Sequence, residues 1–383
     1  MKIPYGKQFI TEDDKQRVLE VLGSELITQG EVVPEFERTL AAYHGAKYGV
    51  AFSNGTAALH AAYAVSGIGP GDEFITTPIT FAASANGGLY SGATPKFVDI
   101  DKDTYCIDVE KIEDAITDRT KVITPVSFAG YPVDLKAISE IAKKHGCCVI
   151  HDAAHALGSK RDGTFGMEYA DMAILSFHPV KHVTTGEGGM VLTNSKELND
   201  KLRLFKTHGI TKDPALLENN DGPWYYEMQS LGYNYRITEF QAALGLSQFS
   251  RIEENLAARN RIAKRYEKDL EDGPVTLPPS LGYEILESGA EAEAIHAYHL
   301  YTVLAKDSTE RRKLYEYLRG NDIFVQIHYV PVHLHPYYRK HFDFKAGDFP
   351  VAEDYYSKEI SIPMFHSMTE GEQQYVIDTM KKY

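Results

Sequence analysis

Residues 176–189 read SFHPVKHVTTGEGG and stand between two short apolar runs, MAIL at 172–175 and MVLT at 190–193. Runs of this length and composition are typical of buried β-strands. Lys181 is therefore predicted to lie in a loop between two core strands, among hydroxyl groups, histidines and glycines. Burial favours the neutral form of a lysine and makes its amine a nucleophile, so the pattern indicates a chemical role. The alternative is an ordinary solvated loop lysine.

An acid upstream favours the chemical role. Asp152 follows the apolar run CCVI at 147–150, so a second buried strand is predicted to end in a carboxylate. A strand-end acid followed by a loop lysine resembles the cofactor pair of the pyridoxal-phosphate enzymes with the aspartate aminotransferase fold. In that fold the acid keeps the pyridine nitrogen protonated, and the lysine holds the cofactor covalently.

The histidines at 151 and 155 raise a different hypothesis. Their spacing is that of two metal ligands on one face of a helix. The run before them is strand-like, however, and an aspartate stands where such motifs have glutamate. We therefore predict no metal site here.

Five motifs extend the resemblance over essentially the whole chain. They are NGTAAL at 54–59, TPITF at 77–81, HDAAH at 151–155, the 176–189 segment, and GYNYR at 232–236. This order resembles that of the DegT/DnrJ/EryC1/StrS family, whose members aminate nucleotide-linked keto sugars. The resemblance implies a fold-type I α/β transferase, with a large, mostly parallel-sheet domain and a smaller α+β domain. It also implies pyridoxal 5'-phosphate as cofactor and a homodimer with shared active sites.

The resemblance also assigns roles to individual residues. Lys181 is the expected catalytic residue and cofactor anchor. The other expected cofactor contacts are Thr56, Ala57, Phe81, Asp152, His155, Ser176 and, from a neighbouring subunit, Asn234. The expected substrate contacts are Thr28, Glu187, Arg236, His328 and Tyr329.

Physical reasons support parts of this assignment. The motif at 54–59 follows a predicted strand and opens a helix, where free N–H groups bind phosphate. Phe81 follows another strand, where an aromatic ring can stack on a planar cofactor. Many family members have glutamine where this chain has His155, although histidine can also donate to the cofactor's phenolic oxygen.

The expected reaction is transfer of the amino group of L-glutamate to C4 of a nucleotide-linked sugar. The form SFH followed by TGEGG resembles members that aminate C4, and related dehydratases carry histidine at the position of Lys181. Segments such as LITQG at 26–30 and QIHY at 326–329 look most like the pseudaminic-acid branch. That branch acts on a UDP-linked 4-keto-6-deoxy-N-acetylhexosamine. A deoxysugar dehydratase and a non-catalytic regulator of the same fold remain alternatives.

Composition limits the other possibilities. The chain has 383 residues, of which 43% are hydrophobic and 25% charged, and its net charge is −14. Such a charge argues against nucleic-acid and anionic-membrane partners. The three cysteines make a poor disulfide framework. The opening MKIPYG lacks a signal-peptide core, and no apolar window approaches about 18 residues. We expect a cytoplasmic protein.

Strands alternate with helices up to about residue 245, which is typical of a parallel sheet covered on both faces. We predict a large cofactor-binding domain at 13–245 and a small domain at 246–383, with residues 1–12 packing on the small one. The small domain is expected to begin with a charged helix at 251–272. Strands are expected at 299–304 and 324–329, and a last helix at 370–381.

Overall fold

The computed structural model describes residues 1–281 and 294–383. Residues 282–293, part of the predicted small domain, lie outside the described residues. The helices are α1 (Glu12–Leu22), α2 (Val32–Tyr43), α3 (Gly55–Val65), α4 (Ala83–Tyr90), α5 (Ile112–Ala115), α6 (Leu135–His145), α7 (Lys196–Phe205), α8 (Glu239–Phe249), α9 (Ile252–Leu270), α10 (Ser308–Gly320), α11 (Pro336–Phe342), α12 (Pro350–Lys358) and α13 (Glu370–Lys382). The strands are β1 (Tyr48–Phe52), β2 (Glu73–Thr76), β3 (Thr94–Phe97), β4 (Thr120–Thr124), β5 (Cys148–Asp152), β6 (Met172–Ser176), β7 (Gly189–Thr193), β8 (Ile210–Thr211), β9 (Glu227–Met228), β10 (Tyr301–Leu304) and β11 (Glu359–Ile362).

The central sheet has the order β1-β7-β6-β5-β4-β2-β3 in the part of the chain that the structure describes. Strand β7 runs antiparallel to both of its neighbours, and the other pairs along β6-β5-β4-β2-β3 are parallel. This confirms the predicted mostly parallel α/β fold. The carboxyl ends of β1, β2, β5 and β6 share one edge, where ligands of such sheets bind.

Both faces of the sheet are buried, which explains why its strands are continuous apolar runs. Side chains alternate between faces along a strand. Ile174 and Val191 point into one core with the alanines of α3, whereas Leu175 and Met190 point into the other core with Phe36 of α2. Polar side chains on these strands therefore lie at or next to the strand ends.

A separate core lies around β10 and β11, which pair antiparallel. Helix α9 supplies Ile262 and Tyr266 to this core, whereas its first turns pack Leu256 against the large sheet. Ile3 also packs here, and its N–H donates to the Asp322 carbonyl at 2.9 Å. The domain boundary near residue 245 stays a prediction.

The other expectations for this region had mixed outcomes. The charged helix, the last helix and the strand ending at residue 304 are confirmed with slightly different bounds. The strand predicted at 324–329 is wrong, because its residues form only an isolated bridge from Gln326 to Ser361. Within the described residues, no helix is both long and apolar enough to cross a membrane.

A buried ion cluster fastens α2 and α7 to the edge strand β1. Glu37 is 3% exposed and accepts hydrogen bonds from Arg203 (2.9 Å), Lys206 (2.9 Å) and the Ala51 N–H (2.8 Å). Burial opposes ionisation, but Lys206 and Arg203 hold the pKa of Glu37 below its usual value. The carboxylate therefore stays charged inside the protein.

Replacing Glu37 with alanine should destabilise the protein by about 3–5 kcal/mol, because Lys206 would be left as an unpaired buried charge. The measurement is urea unfolding followed by circular dichroism. The matched control is Glu35→Ala on the exposed face of the same helix, which should change stability by less than about 0.5 kcal/mol. Equal unfolding midpoints for the two variants would contradict a stabilising role for the Glu37 ion cluster.

Candidate active site

Lys181 lies in the loop that joins β6 to β7, and the backbone holds this loop tightly. Ser176 pairs with Gly189 at the end of the two strands. Just beyond them, the Phe177 N–H donates to the Gly188 carbonyl at 2.9 Å, and the Thr185 N–H donates to the Phe177 carbonyl at 3.0 Å. The loop is therefore an ordered extension of the hairpin.

The amine of Lys181 is in an unusual electrostatic environment. Burial lowers the pKa of Lys181 to about 7; Asp152 opposes this effect, and Arg259 adds to it. Its Nζ lies 3.3 Å from His299 Nε2. A lysine with such a pKa is largely neutral just above pH 7 and is available as a nucleophile or base.

Asp152 ends β5 as predicted and is 4% exposed. Its Oδ2 accepts a hydrogen bond from Ser84 Oγ at 2.6 Å, and its Oδ1 accepts from the Ala154 N–H at 3.1 Å. Burial raises the pKa of Asp152, against these hydrogen bonds and the charge of Lys181, which lower it. The carboxylate and the amine are thus coupled across one buried site.

His155 connects this site to the segment that carries His328 and Tyr329. Its Nδ1 accepts from the Ala129 N–H at 3.3 Å, and its Nε2 lies 3.2 Å from the Tyr329 hydroxyl. Next to Tyr329, the Nδ1 of His328 lies 2.7 Å from Ser361 Oγ. The backbone N–H of His328 donates to the Glu359 carboxylate at 2.8 Å. Residues 153–155 follow the strand without forming a helix, so the helical metal-ligand geometry is not present.

A second polar group lies where α3 begins. Asn54 caps the helix, with its Oδ1 accepting from the Ala57 N–H at 2.8 Å. A Cβ on Gly55 would lie 3.3 Å from Ser176 Oγ, and one on Gly189 would lie 2.6 Å from the Asn54 carbonyl oxygen. Only glycine fits this close approach at residue 189, which brings the end of β6 against the helix N-terminus.

The structure thus brings together Lys181, Asp152, His155, His328 and Tyr329, with Ser176, Thr56 and Ala57 converging at the start of α3. Phe81 is 60% exposed, with its ring 6.0 Å from that of Tyr329. The remaining candidates lie outside the buried group, with exposed side chains in Thr28, Glu187 and Asn234 and a half-buried one in Arg236. Their roles stay predictions.

Sequence reasoning missed two polar contacts of this site. Ser84, which donates a hydrogen bond to Asp152, lies in the first turn of α4, where serine is common and indicates no particular function. His299, which contacts Lys181, is 118 residues away in sequence, at the start of the strand predicted at 299–304. Neither residue has a local sequence signal for its contact, because each partner is remote in the chain.

The arrangement fits pyridoxal phosphate. Asp152, buried at a strand end, suits the charged pyridine nitrogen, and the amine of Lys181 suits the aldehyde carbon. The first turn of α3, with glycines that allow close approach, suits the phosphate. The fold and this site define the class of fold-type I pyridoxal-phosphate enzymes.

The family follows from comparison with known proteins. Residues 8–381 match the model of the DegT/DnrJ/EryC1/StrS aminotransferase family, and the chain belongs to it. It is therefore an enzyme, a pyridoxal-phosphate-dependent transaminase of the family that acts on nucleotide-linked sugars.

Three similar proteins illustrate the relationship. The spore coat polysaccharide biosynthesis protein SpsC of Bacillus subtilis is 38% identical, over 99% of this chain and 96% of its own. The UDP-4-amino-4,6-dideoxy-N-acetyl-beta-L-altrosamine transaminase of Campylobacter jejuni is 35% identical, over 99% of this chain and 96% of its own. The structure of Helicobacter pylori PseC, an aminotransferase involved in the biosynthesis of pseudaminic acid, superimposes with a TM-score of 0.89 at 32% identity and covers 100% of both chains.

The low pKa of Lys181 predicts how the cofactor-free protein takes up pyridoxal phosphate. Only the neutral amine reacts, so the uptake rate should rise about tenfold per pH unit below pH 7 and level off above it. The measurement is the absorbance of bound cofactor after rapid mixing across a pH series. Pyridoxal, which lacks the ionising phosphate, is the control and should give the same midpoint. A rate that still rises past pH 9 would indicate an ordinary lysine.

Proposed function

We propose that this protein transfers the amino group of L-glutamate to C4 of a UDP-linked 4-keto-6-deoxy-N-acetylhexosamine, in a pseudaminic-acid type of surface-sugar biosynthesis. The observation that carries the proposal is the partly buried Lys181, whose amine has a lowered pKa and is coupled to the buried carboxylate of Asp152. The choice of sugar is supported by the similarity to the altrosamine transaminase and to PseC. The SFH and TGEGG motifs of the lysine loop support C4 as the position.

The chain's own groups divide the work of the reaction. When bound, pyridoxal phosphate withdraws electrons from the Cα–H bond of the amino donor and so makes that proton removable. Asp152 would keep the pyridine nitrogen protonated. Lys181 Nζ takes the proton from Cα of glutamate and, in the second half of the reaction, delivers a proton to C4 of the sugar. Proton transfer by a positioned group contributes roughly 10²–10⁴-fold to the rate.

The phosphate would be held where α3 begins. Because Asn54 already uses the Ala57 N–H, Thr56 supplies the better donors, its N–H and its hydroxyl, together with the Ser176 hydroxyl. Phe81 would stack on the ring, and His155 would donate to the phenolic oxygen. His328 and Tyr329, which lie on the small-domain side, would contact the nucleotide sugar with Thr28, Glu187 and Arg236.

We also propose a homodimer in which Asn234 of the partner subunit completes the phosphate site. Exposed apolar side chains on the segment just before residue 234 support this arrangement. Trp224 is 68% exposed, Met228 is 64% exposed and Leu231 is 75% exposed. Such side chains on one segment are typical of an interface. Cytoplasmic location is supported by the three free cysteines, which suit a reducing compartment.

The half-reaction with L-glutamate tests the activity. Adding glutamate to the loaded protein should change the absorbance of the bound cofactor, and adding the UDP-linked keto sugar should restore it. Lys181→Ala should abolish both changes, because the substitution removes the amine that moves the proton. Loss of the sugar's C3 hydroxyl without glutamate consumption would indicate a dehydratase. Cofactor binding without any absorbance change would indicate a regulator. Either result would overturn the proposal.

Asp152→Asn should slow the half-reaction with glutamate by about 100-fold or more, because an amide cannot keep the pyridine nitrogen charged. The rate is measured by stopped-flow absorbance at saturating glutamate. Asp118→Asn is the matched control. This exposed carboxylate lies just before β4, at the opposite edge of the sheet, and should leave the rate within about twofold of the original. An unchanged rate for Asp152→Asn would remove the acid from the mechanism.

A further inference from the structure

His299 is the side chain within hydrogen-bond distance of the Lys181 amine among the described residues, with 3.3 Å between Nε2 and Nζ. It is 4% exposed and lies just before β10. Its backbone is fixed by the buried guanidinium of Arg259, which donates to the carbonyls of Tyr298 at 2.9 Å and His299 at 3.4 Å. The imidazole is therefore held in place beside the amine.

The imidazole belongs to a buried group of three histidines. Its ring centroid is 4.3 Å from that of His155 and 5.7 Å from that of His182. Burial, together with the charge of Lys181, holds the pKa of all three well below the usual value. The three rings are therefore neutral, and each carries a single N–H.

The position of that N–H can be inferred for each ring. His182 Nε2 lies 2.8 Å from the Ala297 carbonyl oxygen and must donate to it. His155 Nδ1 accepts from a backbone N–H, so its proton is also on Nε2. For His299, Nδ1 is buried without a partner among the described residues. A buried N–H is rarely left without an acceptor, so the proton of His299 belongs on Nε2, facing Lys181.

We propose that His299 is a positioning residue for Lys181: its Nε2–H donates to the lone pair of the neutral amine and holds that amine whenever it is not covalently engaged. The inference rests on the proposed role of Lys181 as the proton carrier. A free lysine side chain has several rotatable bonds, and an amine released during turnover would otherwise sample many positions. The bond to His299 keeps the amine unprotonated and close to the reacting carbon.

The proposal has a consequence for the titration of Lys181. A hydrogen bond to the neutral form of a group favours that form. The charged and titratable groups around the pair are Asp152, which favours the ammonium form, Arg259, which opposes it, and the neutral side chains of His155, His182, His328 and Tyr329. His299 therefore lowers the pKa of Lys181, as Arg259 does, whereas Asp152 raises it.

The test uses the full-length protein freed of pyridoxal phosphate and labelled with ¹³C-lysine. The Cε signal that disappears in Lys181→Ala identifies Lys181, and its shift with pH gives the pKa. His299→Phe keeps the ring size and burial but removes the donor, so the pKa should rise by about one unit. His299→Gln places an amide N–H at similar reach and should bring the pKa back to within a few tenths of the original value.

His44→Phe is the matched control, because His44 is a buried histidine that packs against Tyr43 and Phe165 and should leave the pKa of Lys181 unchanged. An unchanged or lower pKa in His299→Phe would overturn the proposal. The ¹⁵N spectrum of the unsubstituted protein gives a second test that needs no variant. Protonated Nε2 of His299 would support the proposal, and protonated Nδ1 would overturn it.

Neither readout involves glutamate or a sugar. If both fail while the half-reaction succeeds, His299 has no positioning role and the transaminase function stands. If the half-reaction fails, a shifted pKa in His299→Phe would still show how the amine is held.

Discussion

A lysine amine partly shielded from water and coupled to a buried carboxylate is the constraint on which the site depends. Burial lowers the pKa of Lys181, and Asp152 limits that decrease. The sheet creates both conditions, because apolar side chains close its two faces and leave polar groups only at or next to the strand ends. Asp152 and the lysine loop follow neighbouring strands, so their placement at one edge is a direct result of the parallel topology.

Two lysines of this protein show how the neighbouring groups decide whether a lysine has a structural or a chemical role. Lys206 is buried with its ammonium 2.9 Å from Glu37 and 3.1 Å from the Ala51 carbonyl oxygen, and it fastens helices to the edge strand. Lys181 instead meets a neutral imidazole, with its carboxylate partner coupled at longer range. A close carboxylate fixes a charge in place, whereas a neutral neighbour leaves the amine free to gain and lose a proton.

Sequence patterns predicted the parts of the fold that depend on local chemistry. The strands that end at Phe52, Asp152 and Ser176 were recognisable as apolar runs, and the helix at Gly55 by its cap. The strand predicted at 324–329 was wrong. Its apolar side chains pack into a core, but its backbone forms one isolated bridge and no continuous ladder of hydrogen bonds. Ser84 and His299 were missed because each reaches its partner through space, and nothing in their immediate sequence marks that contact.

The sequence alone determined the candidate groups for the chemistry: one loop lysine, one strand-end acid and a glycine-opened helix, recognisable because each needs particular residue types at fixed local spacing. Tertiary structure alone decided how far the lysine's pKa is lowered, which imidazole faces its amine, and that Asn54 already uses the Ala57 N–H. These properties depend on burial and on distances between residues remote in the chain. Desolvation and hydrogen bonding act through space, so the order of residues does not specify them.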